Sequence, residues 1–224
     1  MTPHEQPQRQ PQRQPVFNAP PATLWTCGVL IICHIVFSLA GPGWQHAALS
    51  ALGYQPLVFL AQFEAGGAGP SLLGILPLFG HVLLHGDLMH LLLNTGFLLA
   101  FGSAVERRLG PGLFLMVFAA TAAGGALAET LFVEQPVLMI GASGAVYGMM
   151  GAVLPFLFGP AMPARRRRML EFVAVIMAIN LLLGAFGLGD ILAGAEIAWR
   201  AHIGGFAVGL ALSFALAARA PRRG

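Results

Sequence analysis

Residues 79–103 read FGHVLLHGDLMHLLLNTGFLLAFGS. The run is apolar and long enough to cross a hydrocarbon core of about 30 Å, which takes ~20 helical residues. It nevertheless carries His85, His90 and Asn94. Five further apolar stretches accompany it, at 24–40, 112–132, 139–158, 169–188 and 197–218. Lipid offers the backbone no hydrogen-bond partner, so each stretch is expected to be a helix. A barrel would need short strands of alternating polarity, and these runs are too long and too uniformly apolar for that. The expected fold is an all-α membrane protein with six transmembrane helices.

Composition points the same way. Of 224 residues, 57% are hydrophobic and 9% charged, and the mean hydropathy is +0.75. Soluble domains carry about 25% charged residues. A chain this poor in charge cannot cover a water-facing surface, so its main solvent must be lipid. The net charge of +3 comes from arginines in short clusters between apolar stretches. That pattern suits membrane orientation and not the continuous basic face that nucleic acid requires. Cys27 and Cys33 lie six positions apart in the first apolar stretch, on different parts of the helix surface. They read as small hydrophobes, not as a disulfide or metal ligands.

The same patterns divide the chain. Residues 1–23 are polar and contain the repeat QPQRQPQRQP, the composition of a disordered tail. Residues 24–218 form one membrane domain, and 219–224 a short basic tail. Ser38-Leu39-Ala40 resembles a signal-peptide cleavage site, but the apolar stretch before it is longer than a signal core, so a retained helix is expected. Orientation follows from the arginines, since the chain has no lysine. With the N-terminus in the cytoplasm, Arg9, Arg13, Arg107, Arg108, Arg165 to Arg168, Arg219, Arg222 and Arg223 all fall inside, and of the 12 only Arg200 falls outside. Glu64, Glu129, Glu134, Asp190 and Glu196 fall outside. This is the positive-inside pattern with both termini cytoplasmic. The first outer connection, 41–78, is apolar, rich in Gly and Pro and free of basic residues, so it is expected to lie in the membrane interface.

Polar groups inside spans are costly and mark function. In this topology the second, fourth and sixth spans run from outside to inside. Each carries its polar residues in its first half: His85, His90 and Asn94; then Ser143; then His202. All five are therefore expected at one depth, near the outer face. Two ridges of small residues should bring two of these spans together. One is Ala201, Gly205, Gly209, Ser213 and Ala217; the other is Gly144, Gly148 and Ala152. Ser143 and His202 flank the outer ends of these ridges. A serine beside a histidine is the minimum set for an activated nucleophile, with the histidine taking the hydroxyl proton and returning it to a leaving amine. Ser143 follows Gly141-Ala142 at the start of its helix, where unpaired backbone N–H groups and the helix dipole favour an oxyanion. His90 and Asn94 share one helix face and can donate to the same oxygen. His85 is expected nearer the aqueous end.

Other chemistries fit less well. A lone serine in a span usually bonds back to its own helix. His85 and His90 have no third ligand at metal-binding spacing, and His-Glu-x-x-His is absent. No span carries an aspartate in a Tyr-Asp or Gly-x-Gly-Asp context. Asn180 in the fifth span reads as structural, and Tyr147 by default as packing. A transporter would want paired intramembrane charges or broken helices in repeated halves.

Here the residues resemble the rhomboid family of intramembrane serine proteases. His85-Gly86-Asp87-Leu88-Met89-His90-Leu91-Leu92-Leu93-Asn94 is similar to the family's His-x4-His-x3-Asn pattern. Glu106-Arg107-Arg108-Leu109-Gly110 looks like its Glu-x-x-x-Gly element. Gly141-Ala142-Ser143-Gly144 matches Gly-x-Ser-Gly, and Ala201-His202-Ile203-Gly204-Gly205 with Gly209 matches Ala-His-x-x-Gly-x-x-x-Gly. The resemblance covers about 24–218. It implies Ser143 as nucleophile and His202 as general base in a dyad without aspartate. It implies an oxyanion hole from His90, Asn94 and the Ser143 N–H. Tyr147 would pack on the histidine, and Gly141, Gly144, Gly205 and His85 would support the site. A Trp-Arg pair that many members carry before the second span is absent, the stretch here being Leu73-Gly74-Ile75-Leu76-Pro77-Leu78.

The expectation is therefore a serine endopeptidase that cleaves in or beside the transmembrane helices of other proteins. It needs no cofactor or metal, binds no nucleic acid, and works in a lipid bilayer. The resemblance to bacterial six-span members suggests an inner membrane, with the site open to the periplasmic face. Residues 189–199 are expected to cap that opening. The alternative is a non-catalytic relative that binds membrane clients, and the client and the oligomeric state stay open.

Overall fold

The computed structural model describes residues 19–64, 69–157, 163–186, 188–189 and 197–219. The tail expected at 1–23 and the basic tail at 219–224 therefore fall mostly outside the described residues. Helix α1 spans Pro21–Leu39 and begins inside the stretch that composition assigned to the tail. The reason lies elsewhere in the chain. Glu106 Oε1 accepts from Ala22 N at 3.0 Å, and Oε2 accepts from Thr23 N and Thr23 Oγ1, both at 2.7 Å. These are first-turn N–H groups with no partner in their own helix, and a carboxylate there also complements the helix dipole. Glu106 is buried, and this cap offsets the cost of burying its charge.

Residues 41–78, expected as an interfacial connection, break into short helices. These are α2 (Pro42–Leu52), α3 (Pro56–Glu64), α4 (Leu72–Ile75) and α5 (Pro77–Gly80). Three of them open on proline, whose missing N–H costs nothing at a first helical position. The segment is tied to the rest of the protein at Tyr54. Its backbone pairs with Met139 through bonds of 3.0 and 2.8 Å, and its buried hydroxyl meets Thr130 Oγ1 at 2.6 Å.

The run at 79–103 is not one helix. A single 3-10 turn at His81–Leu83 follows α5, the chain is extended at Leu84, and α6 begins at Leu88 and ends at Phe97. The stop is chemical: Asp87 caps α6 by accepting from His90 N at 2.8 Å. A π-helical turn at Leu98–Gly102 joins α6 to α7 (Ser103–Leu109). After α8 (Pro111–Leu131), the stretch at 139–158 becomes helical only at Ser143. Helix α9 (Ser143–Val153) and a 3-10 turn (Leu154–Leu157) complete it. Met139 is held by the Tyr54 pairing, and the chain then bends through Gly141 (φ +104°) and Ala142 (φ −85°, ψ 4°) into the helix. Helix α10 spans Pro163–Gly184 and α11 spans Trp199–Arg219.

Among the described residues, four helical spans are long and apolar enough to cross a bilayer: Pro21–Leu39, Leu88–Leu109, Pro111–Leu131 and Trp199–Ala217. Leu72–Leu83 and Ser143–Phe156 are shorter apolar helices. The exterior suits lipid. Leu24, Trp25, Ile32, Ile35, Val36 and Leu39 of α1 all face outward, which would be untenable over so wide an area in water. Helix α9 is the reverse case. From Gly144 to Val153 every residue but Tyr147 is buried, so this short helix is sheathed by its neighbours and need not span lipid by itself. Helices α8 and α11 enclose it. A Cβ on Gly205 would stand 2.0 Å from Gly144 O, and one on Gly209 2.0 Å from Gly148 O. The two small-residue ridges thus meet with backbone against backbone, which only glycine allows.

Candidate active site

The site lies at the N-terminal ends of α6, α9 and α11. Ser143 opens α9, His202 sits in the first turn of α11, and His90 in the first turn of α6 with Asn94 one turn on. Ser143 Oγ is 2.7 Å from His202 Nε2. The histidine is 8% exposed and Ser143 is half-buried. At this distance the imidazole can take the hydroxyl proton as the oxygen attacks an electrophile.

His202 is held from several directions. The Tyr147 ring, one turn below Ser143, stacks on it at 4.3 Å between centroids and 3° between planes. Asn180 Oδ1 of α10 lies 2.5 Å from Nδ1. The first turn of α11 is anchored by Glu129 at the end of α8. Its Oε2 accepts from Ala201 N at 3.1 Å, and Oε1 lies 3.5 Å from Arg200 Nη1. This buried carboxylate therefore does for α11 what Glu106 does for α1.

The approach to Ser143 is shaped by Gly141. Its φ is +104°, a conformation that L side chains rarely adopt. A Cβ there would also stand 2.5 Å from the His90 ring and 3.7 Å from Asn94 Nδ2. His90 and Asn94 thus converge on the backbone just before Ser143. The Gly141 peptide is pinned by His81: Gly141 N donates to His81 O at 2.9 Å, and His81 Nδ1 lies 3.1 Å from Gly141 O. Asn94 is 3% exposed, and its Nδ2 has no hydrogen-bond partner among the described residues. Buried amide donors are normally satisfied, so an open one at a candidate oxyanion position is a donor held in reserve.

Gly144 and Gly205 face each other at the α9–α11 contact, where they set the separation of the two helices that carry Ser143 and His202. His85 lies just before α6, is 0% exposed, and packs edge-on to His90 at 5.1 Å. That contact backs the His90 ring. Most of the cap expected at 189–199 falls outside the described residues.

Three contributors to this arrangement escape sequence reading. Asn180 reads there as structural, although an amide in a span was the available signal. Glu129 counts only as an outer charge, and its signal was an acid at the end of an otherwise apolar run. His81 carries none beyond being a further histidine four residues before His85.

A family model described as the Rhomboid domain matches residues 74–219. "RHOMBOID-like protein 4" of Arabidopsis thaliana is 34% identical over 137 residues, 61% of this chain and 32% of that protein. "Rhomboid protease GluP" of Bacillus subtilis (strain 168) is 42% identical over 73 residues, 33% of this chain and 14% of that protein. "Rhomboid protease GlpG" of Klebsiella pneumoniae (strain 342) is 31% identical over 205 residues, 88% of this chain and 63% of that protein. The chain thus spans at most 63% of the length of these curated relatives.

Proposed function

This chain belongs to the rhomboid family, and on that premise we propose that it is an intramembrane serine endopeptidase with Ser143 as nucleophile and His202 as base. The single observation that carries the reading is the 2.7 Å contact between Ser143 Oγ and His202 Nε2, made between two apolar helices. Two relatives are named proteases, which agrees with it.

The reaction runs in two halves. Ser143 Oγ attacks the carbonyl carbon of a substrate peptide bond while His202 Nε2 takes the hydroxyl proton. The resulting oxyanion is met by the Ser143 N–H at the start of α9, by the His90 ring N–H and by Asn94 Nδ2. Collapse of the tetrahedral intermediate breaks the C–N bond, and His202 returns the proton to the leaving amine. Water, deprotonated by the same base, then hydrolyses the acyl-enzyme. The buried, prearranged donors act in a medium of low polarity, where each is worth more than in water.

The chain crosses the membrane six times with both termini in the cytoplasm, and the site opens toward the outer face. The arginine distribution and the position of all four reactive groups at N-terminal helix ends support this. The substrates are transmembrane proteins. A small apolar cleft of about 30 Å³, lined by Phe97, Phe101, Val146, Tyr147, Met150 and Ile176, lies beside Tyr147, with room for no more than a methyl-sized group.

Reconstitution in liposomes with a transmembrane substrate tests the reading. Cleavage should be lost in Ser143→Ala and in His202→Ala, and a fluorophosphonate should label Ser143 of the wild type only when His202 is present. Full cleavage by either variant would refute it. A folded wild type that takes no label and cleaves nothing would point to a client-binding relative instead.

A further inference from the structure

We propose that Asn180 is a positioning residue for the base, so that the unit at this site is Ser143, His202 and Asn180 and not a dyad; this rests on the proteolytic reading above. The argument begins with the amide itself. The two ends of an Asn side chain are told apart only by their partners. Asn180 Nδ2 lies 3.3 Å from the carbonyl oxygen of Trp199, which can only accept. The other end, Oδ1, therefore faces His202 Nδ1, as found at 2.5 Å. An amide oxygen can only accept, so the proton of the neutral imidazole must sit on Nδ1. Nε2 is then left with its lone pair, and that atom lies 2.7 Å from Ser143 Oγ. The serine hydroxyl donates to it, which is the polarity that deprotonation of Ser143 requires.

The surroundings make this bond decisive for the tautomer. Asn180 is 3% exposed and His202 8%, so water cannot easily replace the amide. Tyr147 covers one face of the ring and leaves its edge to Asn180. Without Asn180, a neutral His202 loses the acceptor for its Nδ1 proton and can shift that proton to Nε2. In that tautomer Nε2 donates and cannot act as a base. When the ring becomes cationic during attack, both nitrogens donate, and Asn180 Oδ1 still receives the Nδ1 proton. Asn180 also sits on α10, whereas Ser143 and His202 sit on α9 and α11. The alignment of the base is thereby coupled to where α10 stands.

The test separates this role from a merely structural link between α10 and α11. Asn180→Ala removes both bonds. Asn180→Asp keeps an acceptor for His202 Nδ1, and when protonated it can also donate to Trp199 O. Each is compared with wild type and Ser143→Ala in a transmembrane-substrate cleavage assay, with kcat and KM resolved. The expected result is a kcat about 10- to 100-fold lower in Asn180→Ala, the range for a buried donor left without its partner. KM should stay unchanged, and Asn180→Asp should recover most of the loss. Nitrogen-15 NMR of histidine-labelled protein in detergent reads the tautomer directly, with His202→Ala assigning the signal. Wild type should show the proton on Nδ1, and Asn180→Ala a mixture. Two results would overturn the inference while leaving the proteolytic reading intact. One is an Asn180→Ala that keeps wild-type kcat and tautomer; the other is an Asn180→Asp as slow as Asn180→Ala. If Asn180→Ala does not fold, Asn180→Asp with the wild-type tautomer spectrum decides: loss of kcat there, or a wild-type proton on Nε2, counts against it. Cleavage by Ser143→Ala would instead remove the premise.

Discussion

The phenol ring of Tyr147 lies parallel to the imidazole of His202, 3° apart in plane and 4.3 Å between centroids. One turn of α9 separates Tyr147 from Ser143, so a single helix supplies both the proposed nucleophile and the surface on which His202 rests. Tyr147→Phe keeps that surface and should cleave within about twofold of wild type. Tyr147→Ala loses a ring contact of the kind worth about 0.5–1.5 kcal/mol, and its kcat should fall roughly 3- to 10-fold. Steady-state cleavage of a transmembrane substrate measures both.

His90 and Asn94 should separate activity from stability. Asn94 Nδ2 is buried without a hydrogen-bond partner among the described residues. Its replacement by leucine removes an unsatisfied donor, which is neutral or stabilising for the fold. In the proposed mechanism it also removes an oxyanion donor, each of which is typically worth ~10²–10³ in kcat. Asn94→Leu should therefore keep or raise the thermal midpoint in detergent while losing that much activity. His90→Ala should lose a similar amount. An active Asn94→Leu would take Asn94 out of the oxyanion hole.

Gly205→Val would place a branched side chain where the first carbon already lies 2.0 Å from Gly144 O. Helices α9 and α11 must then separate, and overpacking of this kind costs about 1–3 kcal/mol or more. Both properties should fall together, with a lower midpoint in thermal unfolding and a cleavage rate reduced by the same displacement of His202 from Ser143.

Glu106→Ala should do the opposite of Asn94→Leu. The carboxylate accepts three bonds from the first turn of α1. Hydrogen bonds to a charged group contribute about 1.5–3 kcal/mol, so the loss should lower the unfolding midpoint clearly. Helix α1 supplies none of the reacting groups, so the remaining folded protein should retain its kcat. A fluorescence melt alongside a cleavage assay below the midpoint would show this.

Much of the fold is legible in the residues, because lipid restricts the chain to helices and each apolar run declares one. The ends of those helices are less legible. Helix α6 starts at Leu88 and not near Phe79 because Asp87 caps it, and α1 starts early because Glu106, far along the chain, satisfies its first turn. The short α9 could not be told from a full span, since only its burial among neighbours shows that it need not cross alone. At the site, Ser143, His202, His90 and Asn94 stand out as polar residues in apolar surroundings. Asn180 and Glu129 stand out in the same way, but nothing local says whom they face.

The five polar residues that stand out in three spans, His85, His90, Asn94, Ser143 and His202, are thus joined by others. By itself the sequence determined the class of protein, its helices, the family and the residues that look out of place in lipid. Those follow from composition, length and spacing, which are local properties. Only the tertiary structure decided that Ser143 lies 2.7 Å from His202, that Gly141 turns through a positive φ between His81 and His90, and that Asn180 Oδ1 faces Nδ1 of His202. Such distances depend on how helices pack, and packing joins residues that the chain keeps 22 to 60 positions apart.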